Sequence, residues 1–221
     1  MKGFLPLLVI ISSLIVTGCA KNTQQATDYS AFRESNPRSI LVLPPVNKSP
    51  DVNASQSFLS GVTMPLAESG YYVFPVAVVD ETFRQNGVTA PEDISAIPLK
   101  KLQEIFGADS VMYITVTDYG TSYQVVNSDT RVTATARLVD ARSGKELWKG
   151  GATASTNEGQ SNNNGGLLGI LITAAVAQIS NTATDKAHDI AEVTSIRLFS
   201  AGKNGGLLYG PRSPKYGQTA Q

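Results

Sequence analysis

Residues 131–138 alternate strictly. Val132, Ala134, Ala136 and Leu138 are apolar, and Arg131, Thr133, Thr135 and Arg137 stand between them. A period of two places each set on its own face of a strand, so this strand is half buried and suits an antiparallel sheet. Residues 40–43 read Ile-Leu-Val-Leu without a break, the pattern of a strand covered on both faces in α/β layers. Together the two patterns predict an α/β (α+β) fold: a mixed sheet, early βα units followed by an antiparallel meander, and helices as cover.

The other elements follow from spacing and punctuation. The first strand is expected over 39–46, with Pro44-Pro45 ending regular pairing, then a loop of turn formers over 47–53. Phe58, Leu59, Val62 and Leu66 have helical spacing, and Pro65 is expected to kink or restart that helix. After Gly70, a second strand over 71–79 is interrupted by Pro75. A short helix starting at Asp80 or Glu81 stops at Gly87, and 91–98 reads as a loop. Leu99, Leu102, Ile105 and Phe106 form a helical stripe that ends at Gly107. Residues 110–119 form a strand with Met112, Ile114 and Val116 on one face, and 121–126 form another. A hairpin turn over 140–144 leads into a strand over 146–156 that carries Trp148. Residues 157–166 read as a flexible loop, 167 to about 196 as a long helix, and 201–221 as an irregular Gly- and Pro-rich tail.

The amino terminus is a secretory signal: Lys2, an apolar run over 4–16, then Val16-Thr17-Gly18 before the only cysteine, Cys19. The run is shorter than the roughly 20 residues of a spanning helix. Cysteine at the cut resembles a bacterial lipobox. That resemblance implies a diacylglyceryl thioether on Cys19, cleavage after Gly18 and acylation of the new amine. Each buried methylene contributes about 0.8 kcal/mol, so several chains on one residue make attachment practically permanent. Ala20 follows, with no aspartate there, which resembles cargo sorted to the outer membrane. The division expected is a signal peptide over 1–18, a lipidated polar tether over 19–37, one domain over 38–200 and the tail over 201–221.

Composition narrows the function. Lys and Arg total 18 and Asp and Glu total 18, and a neutral chain is a poor partner for nucleic acid. Acylation of Cys19 leaves no thiol for a disulfide or a cysteine metal site. The sole histidine, His188, reads as a solvent-exposed helix residue rather than a general base or metal ligand. Glu92 and Asp93 are adjacent in an expected extended loop and point apart. There is no zinc motif of the His-Glu-x-x-His type and no phosphate loop. No enzyme activity, metal or cofactor is expected.

One segment stands out as an interaction candidate. Gly165 and Gly169 share the spacing that permits close helix packing, and Leu168 and Ile172 lie four apart on one helical face of the apolar run 167–179. A buried core helix, an oligomer or partner surface, and a membrane-inserting segment all remain open for it. Trp148, Tyr113, Tyr119 and Tyr123 are expected to pack in the meander, with a ligand platform as the other reading. Loop 47–53 follows the carboxyl end of the first strand, where α/β sheets often bind ligands, but it lacks phosphate-cradling glycines.

Several segments together carry a resemblance: Leu43-Pro44-Pro45-Val46-Asn47-Lys48-Ser49, Gly70-Tyr71-Tyr72-Val73-Phe74-Pro75-Val76, Phe106-Gly107-Ala108-Asp109-Ser110, and Leu138-Val139-Asp140 through Gly144 to Leu147-Trp148. With the lipobox, they resemble a family of bacterial outer-membrane lipoproteins of unknown function that includes a neisserial surface antigen. More loosely, the first strand and the Pro-Pro-Val-Asn-Lys-Ser that follows are similar to the TolB amino-terminal domain, the curli secretion lipoprotein CsgG and the synthase activator LpoB. The resemblance implies a TolB-like α/β domain anchored to the outer membrane, facing the periplasm or the cell surface. It also implies envelope proteins as partners, among them a CsgG-like lipoprotein, and allows a homo-oligomer. The expected role is a non-enzymatic assembly module, with a binding module that activates a cell-wall synthase as the alternative. The polar residues 20–36 reach only about 60 Å when extended, which strains that alternative.

Overall fold

The computed structural model describes residues 27–123, 128–158 and 185–218. Cys19 lies outside the described residues, and so do Gly165, Leu168, Gly169 and Ile172. In chain order the elements are α1 (Ser30–Ser35), β1 (Ser39–Val42), β2 (Val46–Asn47), α2 (Ala54–Glu68), β3 (Tyr72–Val73), α3 (Val76–Gln85), α4 (Pro91–Ser95), α5 (Leu99–Phe106), β4 (Ser110–Tyr123), β5 (Ser128–Asp140), β6 (Glu146–Ser155) and α6 (Lys186–Phe199).

The six strands form one mixed sheet in the order β3-β1-β4-β5-β6, with β2 also beside β4. Pairing is parallel from β3 through β1 to β4 and antiparallel from β4 through β5 to β6. This is the mixed α/β fold expected, with βα units first and the meander second.

Period-two patterning divides the core in two. Ile40, Val42, Met112, Ile114, Val132, Ala134 and Leu138 face α2 and α6 in the larger cluster. Leu41, Leu43 and Val111 face the other way, against Val79, Phe83, Ile94 and Leu102 of α3, α4 and α5. Among the described residues, only the parallel side of the sheet is covered twice. On that second face the meander presents Thr133, Thr135 and Arg137, none of them buried, so one-sided alternation suffices there.

Prolines and glycines account for most departures from the expected elements. The second strand is only Tyr72–Val73, and the helix begins at Val76, because Pro75 takes the N-cap position with its fixed φ. Val79 and Phe83 then bury one turn apart on α3. Residues 91–95 are helical rather than loop: Pro91 sits at the first position, with Glu92 and Asp93 in the first turn, where the helix dipole favours them. Helix α2 runs through Pro65 without a restart. Pro65 cannot donate to the Gly61 carbonyl, and Ser195 Oγ of α6 donates to it instead at 3.0 Å. Strand β4 is one element where two were expected. A bulge between Val116 and Asp118 shifts its phase, so that Tyr119 turns inward opposite Val132.

Both terminal segments pack on the domain. Residues 30–35, part of the expected tether, form α1 and bury Phe32. Residues 202–218 form neither helix nor strand, yet Leu207 is fully buried. Carbonyls of this segment are met by aromatic donors: Trp148 Nε1 to Gly205 O at 2.9 Å, Tyr29 OH to Gly206 O at 2.6 Å and Tyr71 OH to Leu208 O at 2.6 Å. Gly210 lies so close to the 70–71 backbone that a Cβ there would sit 2.5 Å from Gly70 O.

Trp148 is 4% exposed and packs on Phe199, which makes it core rather than a ligand platform. Trp148→Ala should destabilise the domain by about 3–5 kcal/mol. Trp148→Phe, which chiefly removes the donor to Gly205, should cost less. Thermal melts check both, and an unchanged midpoint for the alanine variant would contradict the packing described.

Candidate functional site

The sheet gives the domain two ends. β1 and β4 run upward from Ser39 and Ser110, β5 comes down to Asp140, and β6 climbs again from Glu146. The lower rim therefore gathers α1, the start of β3, the 140–146 hairpin and the tail. The upper rim gathers loop 47–53, the start of α2, the end of β6 and the start of α6.

The lower rim holds a groove of about 290 Å³, lined by Phe32, Arg33, Tyr71, Tyr209, Pro211 and Tyr216 among others. Tyr216 OH donates to Asn36 Oδ1 at 2.8 Å and bridges the tail to the end of α1. Burial, with Tyr216 nearby, pushes the Tyr71 phenol up, so it remains a proton donor. Burial also draws Lys203 down, with Arg197 adding to the effect, and its Nζ donates to Arg197 O. The same rim carries the cations Arg38, Arg142, Lys145, Arg212 and Lys215.

Asp140 braces this rim. Its Oδ1 accepts from Arg142 N at 3.0 Å, Ser143 N at 2.7 Å and Ser143 Oγ at 2.9 Å, and Ser35 Oγ donates to Oδ2 at 2.5 Å. Burial opposes the charge, but the hydrogen bonds from Ser35, Ser143 and Arg142 outweigh it and hold the carboxyl below the usual aspartate range.

The upper rim contains the sole histidine. The sequence reading left His188 exposed in solvent. It is only part-exposed, and its Nδ1 lies 2.8 Å from Ser57 Oγ, which accepts from Tyr119 OH at 2.7 Å. Nε2 lies 3.8 Å from Glu192 Oε1. Serine, histidine and carboxylate are thus in order, but Glu192 is beyond hydrogen-bond distance. Ser57 is inside a helix, with its backbone N bonded to Asn53 O. This chain of contacts ties α2, β4 and α6 together. Nearby, loop 47–53 spends its polar groups on itself: Asn47 Oδ1 accepts from Ser49 N, and Asn47 Nδ2 donates to Asp51 O. Val52 is left exposed at its tip.

The open face of the meander forms a polar shelf with Tyr113, Thr115, Thr135, Arg137 and Lys149, where the Arg137 guanidinium lies 4.2 Å from the Tyr113 ring centre. Among the described residues, no cluster of His, Cys, Asp and Glu could hold a metal ion, and no helix is long and apolar enough to cross a membrane. Glu92 and Asp93 sit together in the first turn of α4, which packs beside β2.

The structure brings together a lower-rim set that the sequence reading missed: Arg33, Tyr209, Arg212, Lys215 and Tyr216. They fall in segments read as tether and tail. The available signal was compositional, since residues 201–221 contain Lys203, Arg212 and Lys215 but no Asp or Glu.

The model of a family described as "Putative lipoprotein GNA1162-like" matches residues 27–212. "Putative lipoprotein NMB1124/NMB1162" of Neisseria meningitidis serogroup B is 50% identical over 206 residues, covering 93% of this chain and 95% of that one. The crystal structure of lipoprotein GNA1162 from Neisseria meningitidis is similar at 57% identity and a TM-score of 0.55, covering 66% of this chain and all of that one. The LpoB carboxyl-terminal domain of Salmonella enterica aligns at 18% identity and a TM-score of 0.39, over 54% of this chain and 84% of that one. That likeness is too distant to carry any argument.

Asp140→Asn keeps an acceptor but removes the charge. Because the folded carboxyl lies below its unfolded value, its contribution is fully present above about pH 4 and is lost as pH falls through the folded value. The variant should lose stability at neutral pH, by about 1.5–3 kcal/mol, and the gap to wild type should close as pH falls through the folded value. Denaturant melts at several pH values check this. A gap that persists unchanged into acid would contradict the charge-based account.

Proposed function

The chain belongs to the GNA1162-like lipoprotein family, and we propose that it is a non-enzymatic, lipid-anchored module of the bacterial envelope. Cys19 holds it to the outer membrane, and it serves an envelope complex through protein contacts. The observation that carries this reading is the join between anchor and domain. Family-matched sequence begins at residue 27, only eight positions after the sole cysteine and its signal-like leader.

The division of ends supports it further. The chain enters at the lower rim, so a partner reaching from the far side meets the upper rim first. Glu158 and Asp185, which flank the stretch with Gly165, Leu168, Gly169 and Ile172, both belong to the upper rim. That stretch is the proposed contact for a second copy or for an envelope partner, with a CsgG-like lipoprotein as the class the sequence resemblance suggests.

Cys19→Ser should abolish labelling by a palmitate analogue in cells, because the thioether needs sulfur; equal labelling of both proteins would overturn the anchor. Charged substitutions at Leu168 and Ile172 together should break assembly while circular dichroism stays native, as read by sedimentation. A monomeric wild type and an unfolded double variant would instead make that stretch ordinary core.

A further inference from the structure

The lower rim carries cations that no ion pair among the described residues neutralises. Arg142 and Lys145 pair with Asp109 and Glu34. Arg33, Arg38, Arg212 and Lys215 are exposed, and none of the four forms an ion pair among the described residues. Two of them lie against tyrosine rings, Arg212 at 5.4 Å from the Tyr72 ring centre and Lys215 at 5.6 Å from that of Tyr209. Tyr72 and Tyr216 are 41% and 50% exposed. Of the carboxylates on the same rim, Glu68 at the end of α2 is exposed and forms no ion pair among the described residues, while the others are mostly committed. Glu34 and Asp109 are paired, and Asp140 is enclosed by its own hydrogen bonds. Asp28 accepts from Ser30 N and Ser30 Oγ, and the Arg33 charge also acts on it.

This rim is also the end that cannot leave the membrane once Cys19 is acylated. Eight residues span at most about 28 Å when extended. Exposed tyrosines beside unpaired Arg and Lys, presented within that reach of a bilayer, are the side chains that favour a membrane–water interface.

We propose that the lower rim is a docking surface for anionic phospholipid headgroups. Arg33, Arg38, Arg212 and Lys215 meet the phosphates, and Tyr72 and Tyr216 sit at headgroup level. The inference rests on the Cys19 anchor. Its consequence is orientation: the domain lies with α1 and the tail on the bilayer and holds loop 47–53 and the start of α6 away from it.

The test uses the lipidated protein in vesicles. Cys19 is the only natural cysteine, so with Cys19 acylated, Gln218→Cys or Val52→Cys adds a single free thiol for a spin label. The label at 218 should be shielded from a water-soluble relaxant in phosphatidylglycerol vesicles and open in phosphatidylcholine vesicles. The label at 52 should be open in both. Arg33→Glu, Arg212→Glu and Lys215→Glu should each shift the docked population down by about fivefold or more, with circular dichroism confirming the fold. Equal accessibility at 218 in the two lipids, or no response to the charge reversals, would overturn headgroup docking while leaving the anchor intact. Protein that fails to float with any vesicle would overturn the anchor itself, and docking with it.

Discussion

Strand β4 has to satisfy two environments along its length, and the rest of the domain is arranged around that requirement. At its start it lies between β1 and β5 and is covered on both faces, with Val111 against α3, α4 and α5 and Met112 against α2 and α6. Further along, Thr115, Thr117 and Asp118 open to solvent on one face. The bulge at 117 separates these regimes. Without the extra residue, Asp118 rather than Tyr119 would turn toward the core, and Tyr119 could not reach Ser57. The single-face burial of β5 and β6 follows, because no helix among the described residues covers the second face beside them.

Edge strand β6 is managed at both ends. Arg197 Nη1 donates to Thr153 O at 2.7 Å and is also bonded to Glu158, while α1 packs near the other end. An edge shortened in this way offers little template for uncontrolled strand pairing. Trp148 depends on the same strand: a Cβ on Gly150 would fall 2.4 Å from the Trp148 ring. The glycine lets the indole lie along the sheet and reach the tail. Trp148, Tyr71 and Tyr29 then hold residues that have no ladder of their own, and this aromatic clasp creates the lower rim.

The sheet was legible in the sequence because its two kinds of strand differ in period, as Ile40 to Leu43 and Arg131 to Val139 do. Helix α5 was legible because its stripe is strong and Gly107 ends it in the left-handed region. Short elements were not: the cue for α4 lay in Pro91 with two acids after it, which also suits a loop. The lower rim was hidden for a different reason. Its residues come from the two chain ends, and only long-range hydrogen bonds such as Tyr216 to Asn36 bring them together. His188 was read on its helix, but its contact with Ser57 was not legible, since Ser57 and the Tyr119 that donates to it are far away in the chain. The expected interaction residues Gly165, Leu168, Gly169 and Ile172, and Cys19 itself, rest on sequence and on the tests proposed for them.

The central claim is that the anchor and the lower rim act together to set the domain on a membrane in one orientation. Hydrogen–deuterium exchange of the lipidated protein, compared between detergent and anionic phospholipid vesicles, tests it most directly. The expected result is slowed exchange confined to residues 29–38 and 207–218, with 47–57 unchanged. Slowed exchange at 47–57 instead, or identical exchange in the two settings, would contradict it.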